Sequence, residues 1–200
     1  PRFDQELVDH IKEVSACYDD EIYTNAQAQK VEYEEDKAVL VAEQEGEELR
    51  LTGDKILVAV GRSAEPALGS LNLDNTDVEV EGGFLSVDEQ MQTSDENICA
   101  IGDVTGNPLL AHKAYREAKV AAEVIAGENE AMDNQYIPKA IYTDPEMAVV
   151  GPGPEEAEEQ YEDVKIGKLP FSASGSALST DAEDGLVRVV ASGDEKLLGV

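Results

Sequence analysis

The sequence predicts an α/β segment followed by an α+β segment, and three observations point there. Two continuously apolar runs, Ile56-Leu57-Val58-Ala59-Val60 and Ile98-Cys99-Ala100-Ile101, have the pattern of strands buried on both faces of a mostly parallel sheet. Each run stops at a glycine, Gly61 or Gly102, and the second is followed closely by a helical pattern over residues 110–126. Beyond residue 131 the pattern changes to short strands around one helix, as in an antiparallel sheet.

Taken in order, residues 4–18 place Leu7, Ile11 and Val14 on one stripe of an amphipathic helix. Residues 22–24, 26–33, 38–41 and 48–51 read as short strands separated by acidic or glycine turns. The apolar run 56–60 leads through Gly61-Arg62 into a loop containing Pro66 and Gly69. Residues 78–81 and 84–87 flank Gly82-Gly83 and read as a hairpin. The helix over 110–126 ends at Gly127, and its Ala111, Ala114, Ala118, Ala121 and Ala122 allow close packing. Strands follow over 141–142, 147–150, 165–169, 186–190 and 197–200, with a helix over 154–161.

Composition narrows the function classes. A hydrophobic fraction of 42% fits a packed globular chain and argues against bulk disorder. No apolar run approaches the roughly 20 residues that span a bilayer, so a soluble protein without a membrane partner is expected, and two distant cysteines, which suggest no secreted disulfide framework, fit a reducing cytoplasm. The chain opens Pro1-Arg2-Phe3-Asp4, with no basic-then-apolar leader, and is expected to be part of something longer. Cys17 and Cys99 are too far apart in sequence for a redox pair of close spacing, and two histidines make no clustered ligand set, so no metal site is expected.

Charge is the unusual feature, with 44 acidic residues against 15 basic ones and a formal net of -29. Such a surface repels the phosphate backbone, so no nucleic-acid partner is expected. The charge is spread along the chain, and its densest clusters, Glu32-Tyr33-Glu34-Glu35-Asp36 and Glu155-Glu156-Ala157-Glu158-Glu159, are short. The plain reading of this acidity is a solvated face, and the sharper one is adaptation to a salty cytosol, where salt screens self-repulsion.

The residues that carry chemistry begin with Ile98-Cys99-Ala100-Ile101-Gly102-Asp103. A buried strand ending in Gly-Asp places a carboxylate at the carboxyl edge of a sheet, where open α/β folds bind ligands. Gly102 lets a ligand approach the backbone, and Asp103 can accept a hydrogen bond from a sugar-like hydroxyl. On its own, that fragment fits a plain turn or helix cap equally well. Leu109-Leu110-Ala111-His112-Lys113-Ala114 then opens a helix, whose start offers unpaired N–H groups and about half a positive charge.

These segments together resemble the FAD-binding segment of the flavoprotein disulfide reductases, and within them the dihydrolipoyl dehydrogenase family, where Ala-Ile-Gly-Asp is followed by Met/Leu-Leu-Ala-His-Lys-Ala. The resemblance implies that Asp103 binds the flavin's ribitol chain beside Gly102. It implies that Leu109, Leu110, Ala111 and His112 meet the isoalloxazine ring, largely by backbone. His112 is then a positioning residue, because the family's catalytic base is a different histidine near the C-terminus; no catalytic residue is assigned in these 200 residues.

Pro138-Lys139-Ala140-Ile141-Tyr142-Thr143-Asp144-Pro145-Glu146 looks like the opening of the family's dimerisation domain, with Asp144 at a variable position that is often histidine. Leu169-Pro170-Phe171-Ser172-Ala173-Ser174-Gly175-Ser176-Ala177 is similar to its next block, but the arginine usual near Gly175-Ser176 is absent. The run 56–61 resembles the strand ending the NAD domain, which would put Gly61 near the dinucleotide; a glycine turn fits those residues comparably. Thr24-Asn25-Ala26 matches a segment whose backbone touches adenine, at Ala26. The implied division is residues 1–64 as the end of a Rossmann-like NAD-binding domain, 65–130 as the second FAD segment, and 131–200 as the start of an α+β dimerisation domain.

The family implies FAD and NAD as cofactors, a homodimer, and as partner the lipoyl domain of a 2-oxo acid dehydrogenase complex or of the glycine cleavage protein. Its activity is the oxidation of dihydrolipoyl groups by NAD. No Gly-x-Gly-x-x-Gly and no Cys-x4-Cys occurs in the sequence, so the chain by itself is not expected to turn over. Two rivals remain: another disulfide or mercuric reductase of the same fold, and a non-catalytic dimerisation module or flavin-binding remnant. Ala111-His112-Lys113 favours the dihydrolipoyl branch.

Overall fold

A computed structural model describes residues 5–15, 21–133 and 136–200. Cys17 and both ends of the helix expected over 4–18 lie outside them. The chain forms two compact units, divided between Gly61 and Arg62.

In the first unit the apolar stripe produces helix α1, Gln5–Ser15. A three-stranded antiparallel meander follows: β1, Ala26–Glu34; β2, Lys37–Gln44; and β3, Glu47–Gly53. β2 is central, and Ala38, Val39, Val41 and Ala42 are buried on alternating sides of it. β1 and β2 shift register between Ala28 and Lys30, a bulge in the outer strand. Their turns are short because Glu35 and Glu45 adopt positive φ, the latter followed by Gly46. On the polar face Arg50 gathers Glu32 (2.9 Å) and Glu34 (2.7 Å) from β1, together with Glu48 (3.6 Å) of its own strand. Lys30 and Arg50 together hold the Glu32 carboxyl below the usual carboxylate range.

Two expected strands of this unit do not form. Residues 22–24 lead into a turn in which Asn25 is left-handed (φ 56), and the ladder starts only at Ala26. Residues 56–60 have no ladder partner, and Leu57, Val58 and Val60 are 91%, 73% and 90% exposed. A strand apolar on both faces is stable only between neighbouring strands, and none among the described residues pairs with this one.

The second unit opens with a short helix α2, Glu65–Leu68, and a two-stranded hairpin, β4 Val80–Glu81 with β5 Phe84–Leu85, about Gly82-Gly83. The long helix α3 spans Ala111–Ile125. Its Val120 and Ala121 bury against Met91, with Val87, Cys99, Val124 and Met132 around them. The segment after α3 is tied back by Arg116, which donates to Asp133 (2.9 Å) and Glu130 (2.9 Å). The strand expected over 98–101 is a single bridge, Gln92 to Cys99. Thr93 N donates to Ile98 O and Ala100 N to Met91 O, so this segment folds back on its own neighbours instead of joining a sheet. Asp95 caps that loop, and amide donation from Asn97 and then Asp77 holds its carboxyl below the usual range.

The antiparallel character expected beyond residue 131 is present. A hairpin pairs β6, Lys139–Ile141, with β7, Met147–Val149; Tyr142, expected in the strand, lies exposed beyond it. Helix α4 spans Pro154–Gln160, started by Pro154 in its first turn. A sheet of order β10-β9-β8 is made by β8, Val164–Pro170; β9, Leu186–Ser192; and β10, Leu197–Gly199. Between β8 and β9 lies a short helix, α5, Gly175–Ser179, which the sequence pattern did not signal. Ala157, Val190 and Leu198 form the local core, with Val164 against it. The architecture is mixed α/β with small sheets, and no described helix is long and apolar enough to cross a membrane.

Fifteen cations cannot neutralise 44 carboxylates, so self-repulsion is built into this surface. Salt shortens its reach, from about 10 Å at 0.1 M to about 3 Å at 1 M. The melting temperature of the full-length protein is therefore expected to rise between those two salt concentrations. A flat or falling melting curve would remove the salt-adaptation reading.

Candidate cofactor-binding site

The site is built on one tight turn. Ile101 is extended (φ -142, ψ 158), and the chain then reverses through Gly102 at φ +83. A Cβ at Gly102 would meet Ala114 Cβ at 3.7 Å, an ordinary contact. The left-handed backbone, and not lack of room, therefore demands glycine there. Residues Gly102–Thr105 make one turn of 3-10 helix, and Gly106 (φ +108) passes against the Phe84 ring. Beneath the turn, Lys113 and Glu117 of α3 reach Gly102 and Thr105 through hydrogen bonds.

Asp103 stands on the outer side of this turn, its side chain 41% exposed, and accepts a hydrogen bond from Arg62 Nε at 3.2 Å. Arg62 is itself mostly exposed, and such a pair contributes little, so a ligand hydroxyl can compete for the carboxylate.

The start of α3 is the second part of the site. Leu110, the residue before the helix, is extended (φ -132, ψ 133), and no side chain caps it. The first turn carries no acidic residue. The opening N–H groups therefore keep their donor capacity, and the positive end of the helix dipole is uncompensated by a carboxylate of that turn. Leu109 and Leu110 are half-buried, while Ala111 and His112 are exposed. These features fit the group the resemblance implies: a carboxylate acceptor for a polyol hydroxyl, glycine for close approach, and unspent donors for a ring that gains negative charge.

His112 also has a side-chain partner that the sequence did not reveal. Its Nε2–H donates to the Pro138 carbonyl oxygen at 2.7 Å, linking the start of α3 to the segment before β6. A carbonyl only accepts, so this bond fixes the ring proton on Nε2. Lys113, Glu117, Thr105 and Arg62 were missed as well. The i,i+4 spacing of Lys113 and Glu117 was a signal for an ion pair, but not for a buried one.

The remaining candidates belong to the other unit. Gly61 (φ +108) ends the run 56–60 and has open space where a Cβ would lie. Ala26 is the first residue of β1, paired with Gln44 after the Asn25 turn.

Residues 1–118 match the family model described as pyridine nucleotide-disulphide oxidoreductase, and residues 137–200 match that described as its dimerisation domain. Dihydrolipoyl dehydrogenase of Halobacterium salinarum is 48% identical over 76% of this chain and 32% of its own length. That of Thermus scotoductus is 47% identical over 80% of this chain and 34% of its own. The chain thus spans about a third of the length of the curated relatives it matches. Among solved structures, the HOCl-induced flavoprotein disulfide reductase RclA from Escherichia coli superimposes on all of this chain and 45% of its own, with TM-score 0.87 and 25% identity.

Proposed function

Because the chain belongs to the pyridine nucleotide-disulphide oxidoreductase family, we propose that it is the flavin-holding and dimer-forming portion of a longer dihydrolipoyl dehydrogenase. The observation that carries this reading is the Gly102-Asp103 turn followed by the uncapped start of α3 at Ala111-His112. In the overall reaction a dihydrolipoyl dithiol loses two electrons and two protons, NAD+ takes a hydride, and one proton is released. Bound FAD supplies the relay of two electrons between the dithiol–disulfide couple and the nicotinamide.

The chain's own residues bind and orient. Asp103 accepts from a ribitol hydroxyl, displacing Arg62. Gly102 keeps the backbone free of a side chain on that approach, and Leu109, Leu110, Ala111 and His112 face the ring through backbone at the helix start. Gly61 and Ala26 lie along the NAD path. Residues 1–64 are assigned to the NAD-binding domain, 65–130 to the FAD domain and 131–200 to the dimerisation domain; the dimerisation match from residue 137 supports the last division. A homodimer serving a lipoyl domain of a 2-oxo acid dehydrogenase complex or the glycine cleavage protein, in the cytoplasm, completes the reading. A disulfide reductase acting on another substrate is the alternative, favoured by the likeness to RclA.

Turnover assays on the purified full-length protein separate the two. NADH-linked reduction of lipoamide is expected. Turnover only with glutathione or mercuric ion would replace the dihydrolipoyl assignment by the alternative.

A further inference from the structure

Two charges lie buried under the site, and the binding roles above do not use them. Lys113 and Glu117 each expose 4% of their side chains, with Lys113 Nζ 2.7 Å from Glu117 Oε1. Both carboxylate oxygens are occupied: Oε1 faces Lys113 and Thr105 Oγ1 (3.1 Å), and Oε2 accepts the Gly102 N–H at 2.6 Å. All three ammonium donors are directed as well, to Glu117, to Thr105 Oγ1 (3.1 Å) and to the Gly102 carbonyl (3.3 Å). The one hydroxyl proton of Thr105 goes either to that carbonyl (2.8 Å) or to Glu117 Oε1 (3.1 Å). Gly102 is thus gripped at its N–H by the anion and at its C=O by the cation.

Stability alone does not explain such a pair. Burying two charges costs desolvation that their attraction only repays, and an apolar pair of similar volume often does as well or better. What the charges provide is direction. A fixed N–H and a fixed C=O orient both peptide groups of Gly102, and the second of these leads into Asp103.

We propose that Lys113 and Glu117 are positioning residues, which hold the Gly102 backbone so that Asp103 meets the flavin's polyol chain. This rests on the flavin reading of the site.

The test uses full-length protein stripped of FAD, with FAD affinity followed by fluorescence and folding by thermal melting. Wild type is compared with the apolar double variant Lys113→Met/Glu117→Leu, each with and without Asp103→Ala. The double variant is expected to melt near wild type yet bind FAD about tenfold more weakly. Asp103→Ala should then cost less than about threefold in that background, because Asp103 is no longer held in place. Wild-type FAD affinity in the double variant would overturn the positioning role, and so would an undiminished cost of Asp103→Ala. If the double variant does not fold, Glu117→Gln serves: it keeps the shape, but its one oxygen cannot accept from both Lys113 and the Gly102 N–H, so one end of the grip is lost. Its FAD affinity is expected to fall; an unchanged value would overturn the proposal. A wild-type protein that takes up no FAD would overturn the flavin reading itself, a result distinguishable from all of these.

Discussion

Asp103→Ala in the full-length protein is expected to weaken FAD binding by about tenfold to hundredfold, the range for losing a hydrogen bond to a charged acceptor. His112→Ala is expected to change it little. The difference lies in which atoms act. Asp103 contributes its carboxylate, and alanine leaves none. Its pairing with Arg62 is exposed and long at 3.2 Å, so releasing Arg62 in the variant offsets little. His112 contributes an N–H at an uncapped helix start, and alanine keeps that N–H in a better helix former. The imidazole is engaged with the Pro138 carbonyl, so its removal is expected to loosen the contact between α3 and the segment before β6, not to release flavin. Measuring FAD release from both variants at one salt concentration checks this. Equal loss from the two would show that the His112 side chain also holds the cofactor.

Gly151→Ala is expected to destabilise the dimerisation segment by about 3 kcal/mol or more, at the upper end of single substitutions. Gly151 sits at φ +72, where a side chain is already strained. A Cβ there would fall 2.1 Å from the Leu198 carbonyl oxygen and 3.0 Å from Gly199 Cα. The obstruction is backbone and has no flexible end to swing away. It is also pinned, because Val150 and Val200 exchange two hydrogen bonds of 2.9 Å just beside it. Gly199 answers from the other side, its own missing Cβ pointing 2.2 Å from the Pro152 carbonyl oxygen. Gly167→Ala is the control: it lies in β8 with open space around it and is expected to stay within about 0.5 kcal/mol. Denaturation midpoints of the full-length variants separate the two. Equal midpoints would mean that the 150–152 and 198–200 segments do not cross so closely.

Where pattern and partner both lie within these residues, the sequence was legible. The meander β1-β2-β3, the Gly82-Gly83 hairpin, α3, α4 and the antiparallel sheet of β8, β9 and β10 follow from periodicity and turn residues. The runs 56–60 and 98–101 carry an equally strong apolar signal, yet neither forms a sheet strand here. An apolar run records what a strand needs on each side, and the neighbour that would supply it is not among the described residues. Helix α5 escaped for another reason: five residues with Gly175 at the start carry no period, and the helix rests on the Ser174 side chain accepting from Ala177 N. In the site, Gly102, Asp103 and the helix start were readable because each has a local backbone reason. The Lys113–Glu117 pair was not, since an i,i+4 pair on a helix looks the same in sequence whether it faces solvent or the inside of a turn.

The most direct measurement is the visible absorption spectrum of the purified full-length protein, recorded folded and after unfolding. A bound flavin in proportion to protein chains, released as free FAD on unfolding and lost from Asp103→Ala at lower dilution than from wild type, is the expected result. A colourless protein whose folded form takes up no added FAD would contradict the assignment of Gly102, Asp103 and the start of α3 as a flavin site.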